Sequence, residues 1–208
     1  VTGNSAILLH RLGRTQEAIS ILTMVEGLDP MNLAGPFNLA LMHLALGQYD
    51  QTAAAARRVQ KLQPGFVMTQ GMIGAALLFQ GDSEAALQTL LLEEKPAFVE
   101  PYVSMAHYAS GRVAESDIAL ARAVELDSEP ILIAQAYVHR GDLDSAFEWL
   151  RRSLESGRLH EIGDISLDPA WRSLVEDPRS APLLSEYGLA TEQLAALEFK
   201  IALPQIGG

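Results

Sequence analysis

Five glycines punctuate this chain at a nearly constant interval, and that regularity restricts its fold more than any other feature. Gly13, Gly47, Gly81, Gly111 and Gly141 stand 34, 34, 30 and 30 residues apart. Five residues after each comes a small residue: Ala18, Thr52, Ala86, Ser116 and Ala146. Seven residues before each comes another: Ala6, Ala40, Gly74, Ser104 and Ala134. Gly, Ala, Ser and Thr make up 66 of 208 residues, so ten small residues in ten such slots arise by chance on the order of once in 10⁵ trials. Small side chains where two helix axes approach, with a left-handed glycine between them, describe an antiparallel helical hairpin. Large apolar residues recur around these columns at helical spacing, as in Leu39, His43 and Leu46, or Leu87, Leu90 and Leu91. Proline then closes each hairpin, at Leu28-Asp29-Pro30, Leu62-Gln63-Pro64, Glu93 to Pro96 and Leu126 to Pro130, because it cannot continue a helix.

Every periodic segment reads at 3.6 residues and none at 2, so the expected class is all-α. Apolar residues at 49% supply a core, and aromatics at only 6% fit helices better than sheets. The hairpins are expected near 4–28, 33–62, 67–94, 99–126 and 130–156. Their length, the Gly47-Gln48-Tyr49-Asp50 turn and the Leu62-Gln63-Pro64 exit resemble the tetratricopeptide repeat. The resemblance covers roughly residues 1–157 and implies an α-α superhelix, a solenoid of about five hairpins followed by C-terminal capping helices. The third and fourth copies are four residues short, which predicts the loss of one helical turn in each.

Residues 158–208 form the expected cap. Asp168-Pro169 and Asp177-Pro178 pair an N-cap residue with a first-turn proline, and Gly188 ends the second short helix. This block resembles the closing segment of bacterial tetratricopeptide proteins, with Trp171 as the apolar plug that a solenoid end requires. A last helix is expected over Thr191 to Leu203, with Leu194, Leu197 and Ile201 on one face. That face could dock on a second copy, giving a homodimer.

Catalytic chemistry finds little purchase. His160, Glu161, Asp164 and Asp168 cluster around a non-periodic loop, yet their spacing fits neither a zinc helix nor a calcium loop. The chain is therefore read as non-enzymatic, without metal or cofactor; a metal-dependent hydrolase centred on that loop is the alternative from another class. His10, His43, His107 and His139 fall on first helices and are read as packing or groove-edge residues. Gly71-Met72-Ile73-Gly74 is helix packing rather than a phosphate loop. Arg57-Arg58 and Arg151-Arg152 are read as solvated faces with partners four residues away.

The family's inner face, lined mainly by first helices, implies a peptide groove, expected here at Phe37, Asn38, Leu41, Met68, Met72, Tyr102, Met105, Tyr108, Gln135 and His139. It is apolar and Met-rich, which suits an apolar or amphipathic peptide, and it lacks the Lys and Arg that would clamp a carboxylate. A net charge of −11 disfavours nucleic acid and anionic membranes. The most apolar stretches, residues 34–47 and 71–81, are too short for a bilayer span, and the absence of cysteine fits a reducing cytoplasm. The expected function is a protein-interaction module of a larger protein, since Val1 falls inside a repeat. The other reading is a sensor region of a bacterial transcription regulator or nucleotide cyclase.

Overall fold

In a computed structural model, which describes residues 2–156 and 165–198, the chain is an all-α solenoid with no strand among the described residues. Five hairpins follow one another: α1 (Thr2–Arg11) with α2 (Thr15–Leu28), α3 (Ala34–Ala45) with α4 (Tyr49–Leu62), α5 (Thr69–Phe79) with α6 (Ser83–Leu90), α7 (Pro96–Ala109) with α8 (Val113–Glu125), and α9 (Pro130–Arg140) with α10 (Leu143–Glu155). Two 3-10 turns, Ile165–Leu167 and Pro169–Trp171, lead to α11 (Arg172–Val175), α12 (Ser180–Glu186) and α13 (Thr191–Ala195).

The small columns are where the paired helices meet. Ala6, Ala40, Ser104, Ala134, Ala18, Thr52, Ala86, Ser116 and Ala146 are each 0% exposed. Gly74 completes the set, because a Cβ there would lie 2.5 Å from Leu90 Cγ. In the fourth hairpin the contact is polar: the Ser104 hydroxyl reaches the Ser116 carbonyl and hydroxyl, both at 3.0 Å, so neither side chain is buried without a partner. All five repeat glycines have positive φ, from 68° to 92°, which ends the first helix of each pair without the Cβ penalty of the left-handed region.

Two prolines expected to close hairpins open helices instead. Pro96 and Pro130 sit in the first turns of α7 and α9, where the missing N–H would have had no helical acceptor. Of the two short copies, the third loses helix, since α6 has 8 residues against 14 in α4, and its Leu91 and Leu92 are left 73% and 65% exposed. Leu91 therefore does not share a packed face with Leu87 and Leu90. In the next copy α8, with 13 residues, is nearly full length, and the connection, residues 126–129, is shorter than its counterpart at 63–68.

First helices pack on one another in succession, α1 on α3, α3 on α5, α5 on α7 and α7 on α9, which makes them one layer. Each second helix packs on its own first helix, and ion pairs join neighbouring elements: Arg58 of α4 with Glu26 of α2 at 3.1 Å, Arg112 before α8 with Glu84 of α6 at 2.8 Å, Arg140 of α9 with Asp117 of α8, and Arg151 of α10 with Glu186 of α12 at 3.5 Å. Of the four arginines expected to pair at four-residue spacing, Arg152 does so among the described residues, with Glu148. Each of these pairs has at least one exposed partner and surface pairs are worth about 0–1 kcal/mol, so burial of the apolar columns carries the stability.

The cap packs on the last hairpin. Trp171 is 3% exposed in a cluster with Ile131, Ala134, Val138, Leu150, Leu154 and Leu174. Asp168 caps the Pro169–Trp171 turn, its Oδ1 accepting from the Ala170 N–H at 2.9 Å, whereas Asp177 stands in the turn before α12, where its Oδ1 accepts from the Arg179 N–H at 2.9 Å and Arg179 takes the N-cap position expected for Asp177. Gly188 has φ 72° and follows the end of α12. The expected last helix is described only as α13, with Leu194 buried at 5% and Leu197 54% exposed. Leu194 is thus already used within its own chain, and Ile201 lies outside the described residues.

Candidate functional site

A cavity of about 600 Å³ opens on the first-helix layer. Its walls come from α1 (Ile7, His10, Arg11), α3 (Asn38, Leu41), the start of α5 (Met68, Met72), the start of α7 (Lys95, Phe98, Tyr102), and the turn into α9 with that helix (Asp127, Glu129, Leu132, Gln135). No residue of the second helices α2, α4, α6, α8 or α10 contributes. Helical spacing explains the selection, since lining residues within a helix stand three or four apart and so share one face.

The C-terminal segment forms the remaining wall. Asp168 and Trp171 line this cavity, whereas Pro169 and Ala170 line a second, shallower depression with Tyr49, Phe79 and His139. Residues 168–171 therefore lie across the inner face. The reach is long: a Cβ on Gly47 would meet Pro169 Cγ at 2.9 Å, and the Asp168 carboxylate helps to raise the phenols of both Tyr49 and Tyr102, in each case second to burial. The cap thus reaches the second hairpin as well as the fifth, and its Asp168 lines the same cavity as Tyr102 of the fourth. Gly47→Ala and Gly111→Ala both force alanine into a left-handed backbone, at φ 68° and 75°, but only at Gly47 does anything lie within 4 Å. The first substitution is expected to be more destabilising by about 1 kcal/mol or more, as the difference in urea midpoints.

Six of the ten residues expected in the groove line the cavity: Asn38, Leu41, Met68, Met72, Tyr102 and Gln135. The other four are placed elsewhere. Phe37 packs edge-on against Phe66, with ring centres 5.5 Å apart. Met105 is 0% exposed, in the core formed with α5, α6 and α8. Tyr108 donates its hydroxyl to the Arg140 carbonyl at 3.2 Å and lies under the Arg140 guanidinium. His139 stands beside Phe79, and burial holds its imidazole below the usual histidine range. The periodicity of first helices could not find Arg11 and Lys95, so the expectation of a groove nearly without basic residues is corrected. Nor could it find Asp168 or Trp171, which come from outside the repeats.

Backbone strain concentrates at the same place. Met68 at φ 75° and Asp127 at φ 53° are the non-glycine residues of positive φ among those described, and both line the cavity. Asp tolerates this region, but for Met it is uncommon, and such strain tends to gather at ligand clamps.

The polar floor is Gln135 and Asp168. Gln135 is 6% exposed; its Nε2 donates to Asp168 Oδ2 at 3.5 Å, a long hydrogen bond, while its Oε1 is buried without a partner. No Lys, Arg or His among the described residues pairs with Asp168. Burial pushes its carboxyl up to about 6, against the opposing hydrogen bond from Ala170. In the unfolded chain it titrates near 3.9, so between these values the folded state holds a proton that the unfolded state has lost. This group's contribution to stability therefore falls as pH rises from about 4 to about 6, by at most about 3 kcal/mol. Asp168→Asn keeps the capping acceptor without the charge. Its stability relative to wild type is expected to rise over that window and then to level off, in melts recorded from pH 4 to 7.

Of the residues first considered for a metal, His160, Glu161 and Asp164 lie outside the described residues. Asp168 is engaged as above, and no group of three or more metal-ligating side chains occurs among the described residues. Nor is any helix among them long and apolar enough to cross a membrane.

The architecture defines a helical-repeat protein of paired helices. Residues 69–91, the α5–α6 hairpin, match the family model of the tetratricopeptide repeat, so this chain carries a tetratricopeptide repeat. That repeat supports a protein–protein interaction module in general, of a family that is typically non-enzymatic. No curated protein matches the chain.

Proposed function

We propose that this chain is a non-enzymatic interaction module that binds an apolar or amphipathic peptide segment of a partner protein, or of another domain of its own parent protein, in the inner cavity. The observation that carries this reading is the composition of the walls. First helices and the cap line them, and the partly exposed Leu41, Met68, Phe98 and Leu132 supply apolar surface that can adapt to a ligand. A helix 10–12 Å across with a 5.4 Å pitch occupies roughly 400–600 Å³ per turn, so the cavity of about 600 Å³ takes about one turn or a few extended residues. The expected ligand is accordingly short. Residues 1–157 are taken as the array and residues 158–208 as the capping segment, of which Asp168 and Trp171 shape the site.

Met72 and Tyr102 are only 1% and 4% exposed, so charged substitutions there would unfold the chain rather than report on binding. Leu41 and Met68 are partly exposed and serve better. Twelve-residue peptides selected from a display library against the wild-type chain are expected to lose at least tenfold in affinity for Leu41→Glu and for Met68→Glu. They should bind Ile118→Glu, altered at a 69% exposed position on α8, as wild type. Equal affinity in folded Leu41→Glu and Met68→Glu would contradict the assignment.

A further inference from the structure

We infer that the ligand of this cavity carries a cationic hydrogen-bond donor, a lysine or arginine side chain set among apolar residues, which seats on Gln135 and Asp168. The inference rests on the groove reading above and adds the chemistry that the groove selects. Gln135 presents a side-chain oxygen that is buried and has no donor, on a residue 6% exposed, in the wall of an open cavity. A buried acceptor left unmade costs free energy that a donor arriving with a ligand would recover. Beside it the Asp168 carboxylate accepts one backbone N–H and one amide N–H, which leaves acceptor capacity on both oxygens. A carboxylate in partly apolar surroundings with no counter-charge favours a cation over any neutral group.

The rest of the wall agrees with this choice. Phe98, Tyr102 and Trp171 line the same cavity, and the partly exposed Phe98 offers aromatic surface to a cation and apolar area to its stem. Two cations of the chain, Arg11 and Lys95, also line it, together with the acids Asp127 and Glu129. Neither Arg11 nor Lys95 pairs with Asp168, so no cation among the described residues neutralises the floor. An anionic head group would meet Asp168 with like charge, and the net charge of −11 opposes its approach.

Three probes with one apolar body separate the possibilities: 4-phenylbutylammonium, 4-phenylbutanol and 4-phenylbutyrate, titrated into the full chain while the Gln135 side-chain amide and the Trp171 indole are followed by NMR. The ammonium is expected to bind at least tenfold more tightly than the alcohol, with the carboxylate weakest. In Asp168→Asn, which keeps the capping oxygen, the ammonium-to-alcohol ratio should shrink to within about twofold. Should that variant fail to fold, Gln135→Met is expected to reduce the same ratio at least threefold, because it removes the unpaired oxygen. If the alcohol or the carboxylate binds wild type as tightly as the ammonium, the cation preference is overturned and the apolar groove stands. If no probe gives a saturable shift at Gln135 or Trp171, the cavity is not a ligand site and the groove reading falls with the inference.

Discussion

Replacing Trp171 by alanine is expected to destabilise the chain by about 3–5 kcal/mol, in the range for removing a large aromatic from a core. The ring is 3% exposed and touches apolar residues of both α9 and α10, while its other side faces the inner cavity. Truncation would uncover the last hairpin and release the segment that reaches Pro169 across to Gly47. Because hairpins of a solenoid depend mainly on their neighbours, the loss should be uneven. Hydrogen exchange is expected to rise most in α9 and α10, and least in α1 and α2. A loss below about 1 kcal/mol in urea denaturation would mean that the cap contributes little to the array.

Met105→Ala is expected to cost about 2–5 kcal/mol, as a long apolar side chain deleted from a closed core. Met105 is 0% exposed and sits among Leu78, Leu90, Leu120 and Ile133, where four hairpin elements converge. Met68→Ala removes the same side chain from a partly exposed position in the cavity wall and should cost about 1 kcal/mol or less. The contrast between the two methionines, read from urea midpoints, separates core from groove. If Met105→Ala were the milder of the pair, the assignment of inner and buried faces on α7 would be reversed.

That face assignment marks where sequence reasoning stopped. The repeat columns were legible because a close approach of helix axes tolerates only small side chains, a constraint that acts at one position at a time; Ala40, Ala86 and Ser104 all obey it. The turn glycines were legible for the same kind of reason, since Gly81 and Gly141 occupy backbone that other residues adopt at a cost. Which apolar residue of a first helix faces the cavity was harder to read. Met72, Met105 and Tyr108 all carry large side chains at helical spacing, and only the stacking of neighbouring hairpins decides between core, cavity and a contact such as that of Tyr108 with Arg140. Proline was ambiguous by nature: at Pro96 and Pro130 the same residue that ends one helix begins the next.

The polar part of the site was the least legible. Asp168 read as an N-cap from sequence, and it is one. Its second role depends on a chain reversal that brings it to Gln135, 33 residues away, and nothing local encodes that meeting. Lys95 and Asp127 reach the cavity from turns, where periodicity carries no information. The expectation of an apolar groove therefore described the helices of the wall and left out its charged rim and floor.

Hydrogen exchange of the wild-type chain, with and without a peptide selected against it, locates the binding face. Slower exchange is expected in segments containing Leu41, Met72, Tyr102 and Gln135, all on first helices, with the second helices α4 and α8 unchanged. Protection confined to α4 and α8, with the first helices unaffected, would contradict the groove reading.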